Sequence, residues 1–384
     1  MRRLVVLASA LVFFDVAFFA AISPLLPEYT DRLGLSEAGA GVLAGAYAAG
    51  TLLASLPGGF LATRVGPRRT AIGGLLLLGS SSVVFGFAGS IVLLDVSRFV
   101  QGVAGALIWS GALTWLITTA PPERRGSVIG TALGMAVAGA LVGPVLGGIA
   151  AEVGTEPVFG AVLGIAVVLA VIASRLPEAR PPERPVLREV AAIIVSRPIL
   201  AATSFVAVPS LMFGVVEVLV PLRIDELGGG HALIAGGFIA GAALEATLAP
   251  IAGRYSDRAG RRAPFVAGIA VCAVAMVFFA LAEQLGTVLA ALILSALGAG
   301  VCFAPALSAL SETAEAKRLQ QGFAAGLSNM AWSLGQVGGA VGGGLLASAS
   351  GYAVPSLAVA VVLVATGAYA HRFMTPPALS PAEG

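Results

Sequence analysis

Gly253-Arg254-Tyr255-Ser256-Asp257-Arg258-Ala259-Gly260-Arg261-Arg262 is a short basic turn set between two long apolar runs. An earlier copy reads Gly59-Phe60-Leu61-Ala62-Thr63-Arg64-Val65-Gly66-Pro67-Arg68. Gly253, Arg258, Gly260 and Arg262 follow Gly59, Arg64, Gly66 and Arg68 by 194 positions each, and Pro221 and Gly228 follow Pro27 and Gly34 by the same interval. Later in each copy the interval becomes 196: Gly102, Gly126, Gly130, Gly139, Gly143, Gly147 and Gly148 fall on Gly298, Gly322, Gly326, Gly335, Gly339, Gly343 and Gly344. A two-residue insertion between the matching parts accounts for the change. The chain is two versions of one unit.

Hydrophobic residues make up 58% and charged residues 11% of the chain. A soluble protein carries about 25% charge, so this is the composition of a polytopic membrane protein. Breaks at charges, Gly and Pro give twelve helices near 4–27, 36–62, 69–90, 92–119, 127–151, 157–176, 199–224, 232–255, 263–284, 286–311, 320–349 and 352–373. The fold class is all-α integral membrane, with residues 1–176 as an N-terminal six-helix bundle and 199–384 as a C-terminal one ending in a short tail. Residues 177–198 are the polar linker, and Leu187–Val195 has the pattern of a short amphipathic helix at the membrane surface or of a plain solvated segment. The first run, opened by Met1-Arg2-Arg3, has the outline of a secretory signal. Asp15 interrupts it and Pro27 and Gly34 have counterparts in the second half, so it is kept as span 1.

Charge orients the chain. With the N-terminus in the cytoplasm, all of the 22 Lys and Arg except Arg32, Arg98 and Arg223 fall on cytoplasmic segments or at span ends facing them. That asymmetry places both termini on the cytoplasmic side of a cell membrane. Lys317 is the only lysine and Arg318 follows it, so no phosphate-binding G-x-x-x-x-G-K-[ST] loop exists; with only His231 and His371, neither does H-E-x-x-H. Cys272 and Cys302 lie in apolar runs and read as small buried residues.

The basic turn, G-x-x-x-D-R-x-G-R-R between two spans, resembles the loop signature of the major facilitator superfamily. The resemblance implies two pseudo-symmetric bundles of six helices, and a gating role for Gly59, Arg64, Gly66, Arg68, Gly253, Asp257, Arg258, Gly260, Arg261 and Arg262, which would latch the cytoplasmic side in the outward-facing state. The first copy has Thr63 where the second has Asp257. Asp257 is therefore expected to carry the stronger latch, reaching the start of span 5 near Arg124 and Ser127. Span 5 reads Gly139-x3-Gly143-Pro144-x2-Gly147-Gly148, similar to the antiporter motif of drug/proton exporters in the superfamily; a stripe that only lets helices pack closely is the plainer reading. Arg98-Phe99-Val100-Gln101-Gly102 in span 4 resembles the R-x-x-Q-G element of proton-coupled members.

Ionisable groups inside a membrane are costly and point to function. Asp15 lies about 16 Å into span 1 and Arg98 about 9 Å from the opposite face, at ~1.5 Å per residue, so the two stand within one or two helical turns in depth. Arg98 either pairs locally with Asp95 or acts on a carboxylate of another helix, with Asp15 the best candidate. Phe14-Asp15-x8-Pro24-x2-Pro27 is similar to the first span of vesicular amine transporters and related drug antiporters, where the acid takes part in binding cationic substrate and protons. Glu245 stands near mid-membrane; Glu217 lies in the outer third, within reach of Arg223. Phe14, Phe18, Trp109, Trp115 and Phe213 are candidates to line a cavity, with Asn329, Trp332 and Gln336 at helical spacing on span 11.

These features together point to a secondary transporter exporting small lipophilic or cationic compounds against protons, with Asp15, Arg98, Glu245 and Glu217 as the coupling groups. A proton-coupled importer of a sugar or other metabolite is the alternative, and a non-transporting receptor or scaffold a further one. No nucleophile–base or metal set suggests an enzyme. No cofactor is expected beyond the proton gradient; the expected partners are substrate, protons and the bilayer, without nucleic acid, and the working unit a monomer.

Overall fold

The computed structural model describes residues 1–121, 124–179, 187–317, 319 and 321–374. The chain runs α1 (Arg2–Ala20), a 3-10 turn (Ser23–Leu25), α2 (Leu26–Leu33), α3 (Glu37–Val65), α4 (Pro67–Gly86), α5 (Ile91–Thr119), α6 (Arg125–Val153) and α7 (Thr155–Ser174). After the short α8 (Leu187–Ile194) come α9 (Arg197–Glu226), α10 (His231–Ala259), α11 (Arg262–Ala280), α12 (Leu285–Ala316), α13 (Gln321–Ser350) and α14 (Ala353–Phe373). No strand occurs among the described residues. The expected spans are all present as helices, and the linker helix forms. The last residues of the chain, 375–384, lie outside the described residues.

Span 1 is longer than expected and broken. Pro24 and Pro27 bring no N–H to the helical ladder, so the α-helix stops at Ala20, a 3-10 turn intervenes, and α2 restarts the run. The repeated glycines of the turns have a direct reason: Gly34 and its counterpart Gly228 sit at φ 67° and 81°, Gly66 and Gly260 at 103° and 87°. This region is strained for any residue with a Cβ. Register between the halves is thus kept by backbone turns that only glycine makes without strain.

Among the described residues, eleven segments are long and apolar enough to cross a membrane. α13, at 30 residues, is long enough but is not among them. Its glycines, Asn329 and Gln336 lower its hydropathy, and its position explains why that is tolerated: it is packed between α3 and α9. A methyl group on Gly339 would meet the backbone of Leu211 and Gly214 on α9, and one on Gly344 the backbone of Glu37 and Gly41 on α3. Close backbone approach through small residues is how helices gain van der Waals contact in lipid.

The two basic turns, 64–69 and 254–262, mark one end of the molecule; the opposite end is called the far face. Near the far face the halves meet directly. Gly41 and Gly45 of α3 abut Ala340, Val341 and Gly344 of α13. Gly148 of α6 faces Ala235 of α10, and His231 Nδ1 lies 2.8 Å from the Pro24 carbonyl oxygen. Toward the basic end Gly326 of α13 still approaches Ser55 of α3. Among the described residues, however, every ion pair at the basic end stays within one half or its linker: Arg68 and Arg69 with Glu178, and Arg261 with Glu312.

Candidate functional site

Asp15 sits on α1, 1% exposed, with both carboxylate oxygens engaged. Tyr47 Oη on α3 donates to Oδ1 at 2.8 Å, and Trp109 Nε1 on α5 donates to Oδ2 at 3.0 Å. Gly105 makes room: a Cβ there would lie 2.7 Å from Oδ1 and 3.2 Å from Oδ2, so the carboxylate rests on bare helix backbone. Two donors and no missing acceptor partner suit an ionised carboxylate.

Arg98 is also 1% exposed. Its guanidinium donates to the Phe18 and Phe19 carbonyls, 3.3 Å each, and to Gln101 Oε1 at 3.0 Å. Gln101 in turn donates to Ser82 Oγ at 3.1 Å. Phe18 and Phe19 belong to the last turn of α1, where carbonyls run out of intrahelical partners and the helix end is negative. The arginine is the cap of the broken span. Its cation lies 5.1 Å from the Tyr47 ring centre and 6.0 Å from that of Phe85, which adds cation–π attraction in a dry setting. The pairing of Arg98 with Asp95 is not formed: Arg98 turns inward to α1, and Asp95 Oδ1 is left without a hydrogen-bond partner.

The other half brings Glu217 to the same place. Glu217 on α9 is 6% exposed and accepts from Gln336 Nε2 of α13. Glu217 and Asp15 both interact electrostatically with Arg98. Buried atoms without a hydrogen-bond partner among the described residues include Arg98 Nε, Glu217 Oε1 and Gln336 Oε1. Phe19 closes the set: its ring lies tilted against Tyr47 at 4.9 Å and meets Trp332 of α13 edge-on at 5.3 Å, across the junction of the halves. Asp15, Arg98, Glu217, Trp109, Trp332 and Gln336 are thus linked through contacts at one junction.

Other expectations need correcting. Glu217 does not pair with Arg223, which binds Glu226 at 2.9 Å and the Ala282 carbonyl instead. Glu245, preferred over Glu217 from depth alone, stands apart: it is half-buried on α10, against Gly300 and near Cys302, away from Arg98. Phe14 and Phe18 do not line the interface. Their rings pack edge-on together at 5.1 Å, and Phe18 continues onto Phe159 of α7, inside the N-terminal bundle. Trp115 is fully buried and donates to the Pro177 carbonyl, anchoring the linker. Phe213 pairs with Phe303 inside the C-terminal bundle. Asn329 is half-buried, its carbonyl accepting from Ser333. Sequence reasoning missed Tyr47, Gly105 and Phe19; a lone tyrosine in the Gly- and Ala-rich run of α3 was the available signal for the first.

The span-5 glycines have a clear packing role: Gly139, Gly143 and Gly147 press α6 onto α1 at Phe13, Ala17, Ala20 and Ala21, next to the break in span 1. Gly148 turns toward α10, and Pro144 lies within α6. Of the basic turns, the first is clamped by the linker: Glu178 accepts from Arg68 N at 3.0 Å and Arg68 Nε at 3.1 Å, while Arg68 Nη1 reaches the Ser174 and Leu176 carbonyls. The carboxylate missing at Thr63 is replaced from the linker, and Gly66 leaves it the space. Thr63 bonds the Phe60 carbonyl of its own helix. In the second turn Arg261 pairs with Glu312 and Arg262 with His371. Desolvation pushes the Arg261 guanidinium down from its ordinary value, opposed by the Asp257 charge. Asp257 is exposed and, among the described residues, makes no bond to Arg124 or Ser127, so the expected latch is not closed here. Gly260 makes the second turn at positive φ, while Gly59 and Arg64 lie within α3 and Gly253 and Arg258 within α10.

Two pseudo-equivalent bundles of apolar helices, with charged groups gathered at their junction, are the architecture of a polytopic membrane protein. The family model described as Major Facilitator Superfamily matches residues 6–314 and 233–383, and the chain belongs to that family. An MFS-type transporter ppzB of Metarhizium rileyi is 31% identical over 125 residues, 31% of this chain and 26% of that protein. The quinolone resistance protein NorA of Staphylococcus aureus is 27% identical over 109 residues, 28% of each chain. The matches thus span about a quarter of the length of these relatives. Among solved structures, a bacterial homologue of the human lysosomal transporter Spinster, inward-facing and occupied, superposes with a TM-score of 0.79 at 15% identity, covering 97% of this chain and 98% of that one. A D-xylose-proton symporter gives 0.76 at 16% identity, covering 97% of each. These likenesses show the fold.

Proposed function

We propose that the protein is a proton-coupled exporter of small lipophilic or cationic compounds, in which Asp15 binds the cation and Glu217 carries the proton. The observation that carries this reading is the different bonding of the two buried acids. Asp15 accepts from the Tyr47 hydroxyl and the Trp109 indole N–H, a setting for a carboxylate, with the Phe19 and Trp332 rings next to them; a buried anion beside aromatic side chains suits an organic cation. Glu217 has one oxygen bonded to the Gln336 amide N–H and the other unpaired, while the Gln336 carbonyl is unpaired too. A proton on Glu217 would satisfy both orphan atoms at once, since a carboxylic acid and an amide can exchange two hydrogen bonds. A bare carboxylate leaves them unpaired in a dry interface.

Arg98 interacts electrostatically with both acids, so loading of one site is felt by the other. Exchange follows when a cation at Asp15 and a proton at Glu217 are not held together. The basic end is read as cytoplasmic, which makes the contacts at the far face an outer closure, in keeping with the inward-facing Spinster homologue. The membrane is then the cell membrane, with both termini inside. The partial likeness to NorA supports the drug-like substrate class. The working unit is a monomer, the site being complete within one chain.

The test is flux of tetraphenylphosphonium in proteoliposomes under an imposed pH gradient. Wild type should show gradient-driven movement, Asp15→Asn should lose cation binding, and Glu217→Gln should keep binding and cation exchange but lose response to the gradient. Gradient-driven flux that persists in both variants overturns the assignment.

A further inference from the structure

We propose that His231 is a pH-responsive latch that holds the far face shut by binding the break in span 1. His231 is the first residue of α10, and its Nδ1 lies 2.8 Å from the Pro24 carbonyl oxygen, a hydrogen bond between the two halves. Pro24 belongs to the 3-10 turn between α1 and α2. That turn is thus held from both sides: Arg98 of the N-terminal half caps α1 before it, and His231 of the C-terminal half binds the turn itself.

A carbonyl oxygen only accepts, so this bond exists only when Nδ1 carries a hydrogen. A neutral imidazole has one N–H shared between two tautomers, whereas the imidazolium always presents one at Nδ1. Protonation therefore removes the competing tautomer. It also adds charge attraction, because Glu28 of α2 and Asp225 of α9 both interact electrostatically with His231. Behind them stand Asp31 and Glu226, facing Asp225, and Glu156 of α7 and Arg32, facing Glu28. Glu152, one turn beyond Gly148 on α6, lies at the same depth, since Gly148 faces Ala235. The dipole of α10 opposes a positive charge at its first residue; the surrounding acids, with Arg32 the cation among them, offset it. His231 is half-buried, so protons reach it from the far face.

The inference rests on the transport reading for its purpose: acid at the far face would close that face once a proton has entered. Its test does not. Gly89 and Gly286, at the far face in opposite halves and with open space around them, take spin labels as cysteine variants, and distances are measured in nanodiscs without substrate. From about pH 8 to about pH 5, the ratio of closed to open distances should rise roughly two- to fivefold, the scale of one partly exposed charge interaction. His231→Asn keeps a neutral donor near the Nδ1 position, so closure should persist with a flat pH profile. His231→Ala should open the face at every pH. A flat wild-type profile, or a wild-type slope in His231→Asn, overturns the latch. Failure of the exporter reading appears separately, in the tetraphenylphosphonium flux.

Discussion

Replacing Gly105 by alanine adds one methyl group and sets two known effects against each other. In a helix interior alanine is favoured over glycine by about 1 kcal/mol, a gain that shrinks in a bilayer, where the unfolded reference keeps its helices and its own partners. At Gly105 the new Cβ would lie 2.7 Å from Asp15 Oδ1, where ordinary contact begins near 3.4 Å. It would also lie 2.3 Å from Tyr47 Oη, so donor and acceptor must both move away from α5, and their 2.8 Å bond loses its length and alignment. Losing a hydrogen bond to a charged group costs about 1.5–3 kcal/mol. The net loss is therefore about 1–2 kcal/mol, and a carboxylate displaced in this way should bind an organic cation roughly tenfold more weakly. Gly164 of α7, with nothing within 4 Å of a Cβ position, is the control: Gly164→Ala should leave binding unchanged and stability equal or higher. Thermal unfolding in detergent and equilibrium binding of tetraphenylphosphonium measure the two quantities. If Gly105→Ala matches Gly164→Ala in both, Asp15 does not rest on α5 as described.

Arg98→Lys retains the charge but not the fork that spans the Phe18 and Phe19 carbonyls; a loss of about 2 kcal/mol should appear as a lower unfolding midpoint, and an unchanged midpoint would deny the capping role. Gly143→Val should separate α6 from α1 at Ala17 and Ala20, with an overpacking cost of about 1–3 kcal/mol, whereas Gly130→Val, where a Cβ meets open space, should be silent in the same unfolding assay.

How much could be read from the sequence depended on whether the signal was one of period or one of orientation. The repeat of Gly34, Gly66, Gly228 and Gly260 reflects positive φ, a backbone property that belongs to the residue itself, and the matched positions are matched turns. Asp15 and Arg98 were legible because charge in an apolar run is rare and depth follows from counting along a helix. Rotation about the helix axis was not legible. Phe18 and Phe19 are neighbours in sequence, yet one is buried against Phe159 and the other meets Trp332. Depth alone also ranked Glu245 above Glu217, although only Glu217 faces Arg98. Partners distant in sequence, such as Glu178 standing in for the acid missing at Thr63, leave no local trace at all.

α13 also constrains how the protein is made. A nascent helix enters the bilayer on its own hydropathy, and amides and glycines weaken that preference. This segment, which falls short by itself, emerges eleventh, after both of the helices that enclose it, α3 and α9, have been synthesised. The order of synthesis thus supplies the receptor before the segment that needs it. A rearranged chain in which α13 came first would present the same residues to lipid with no groove to receive them.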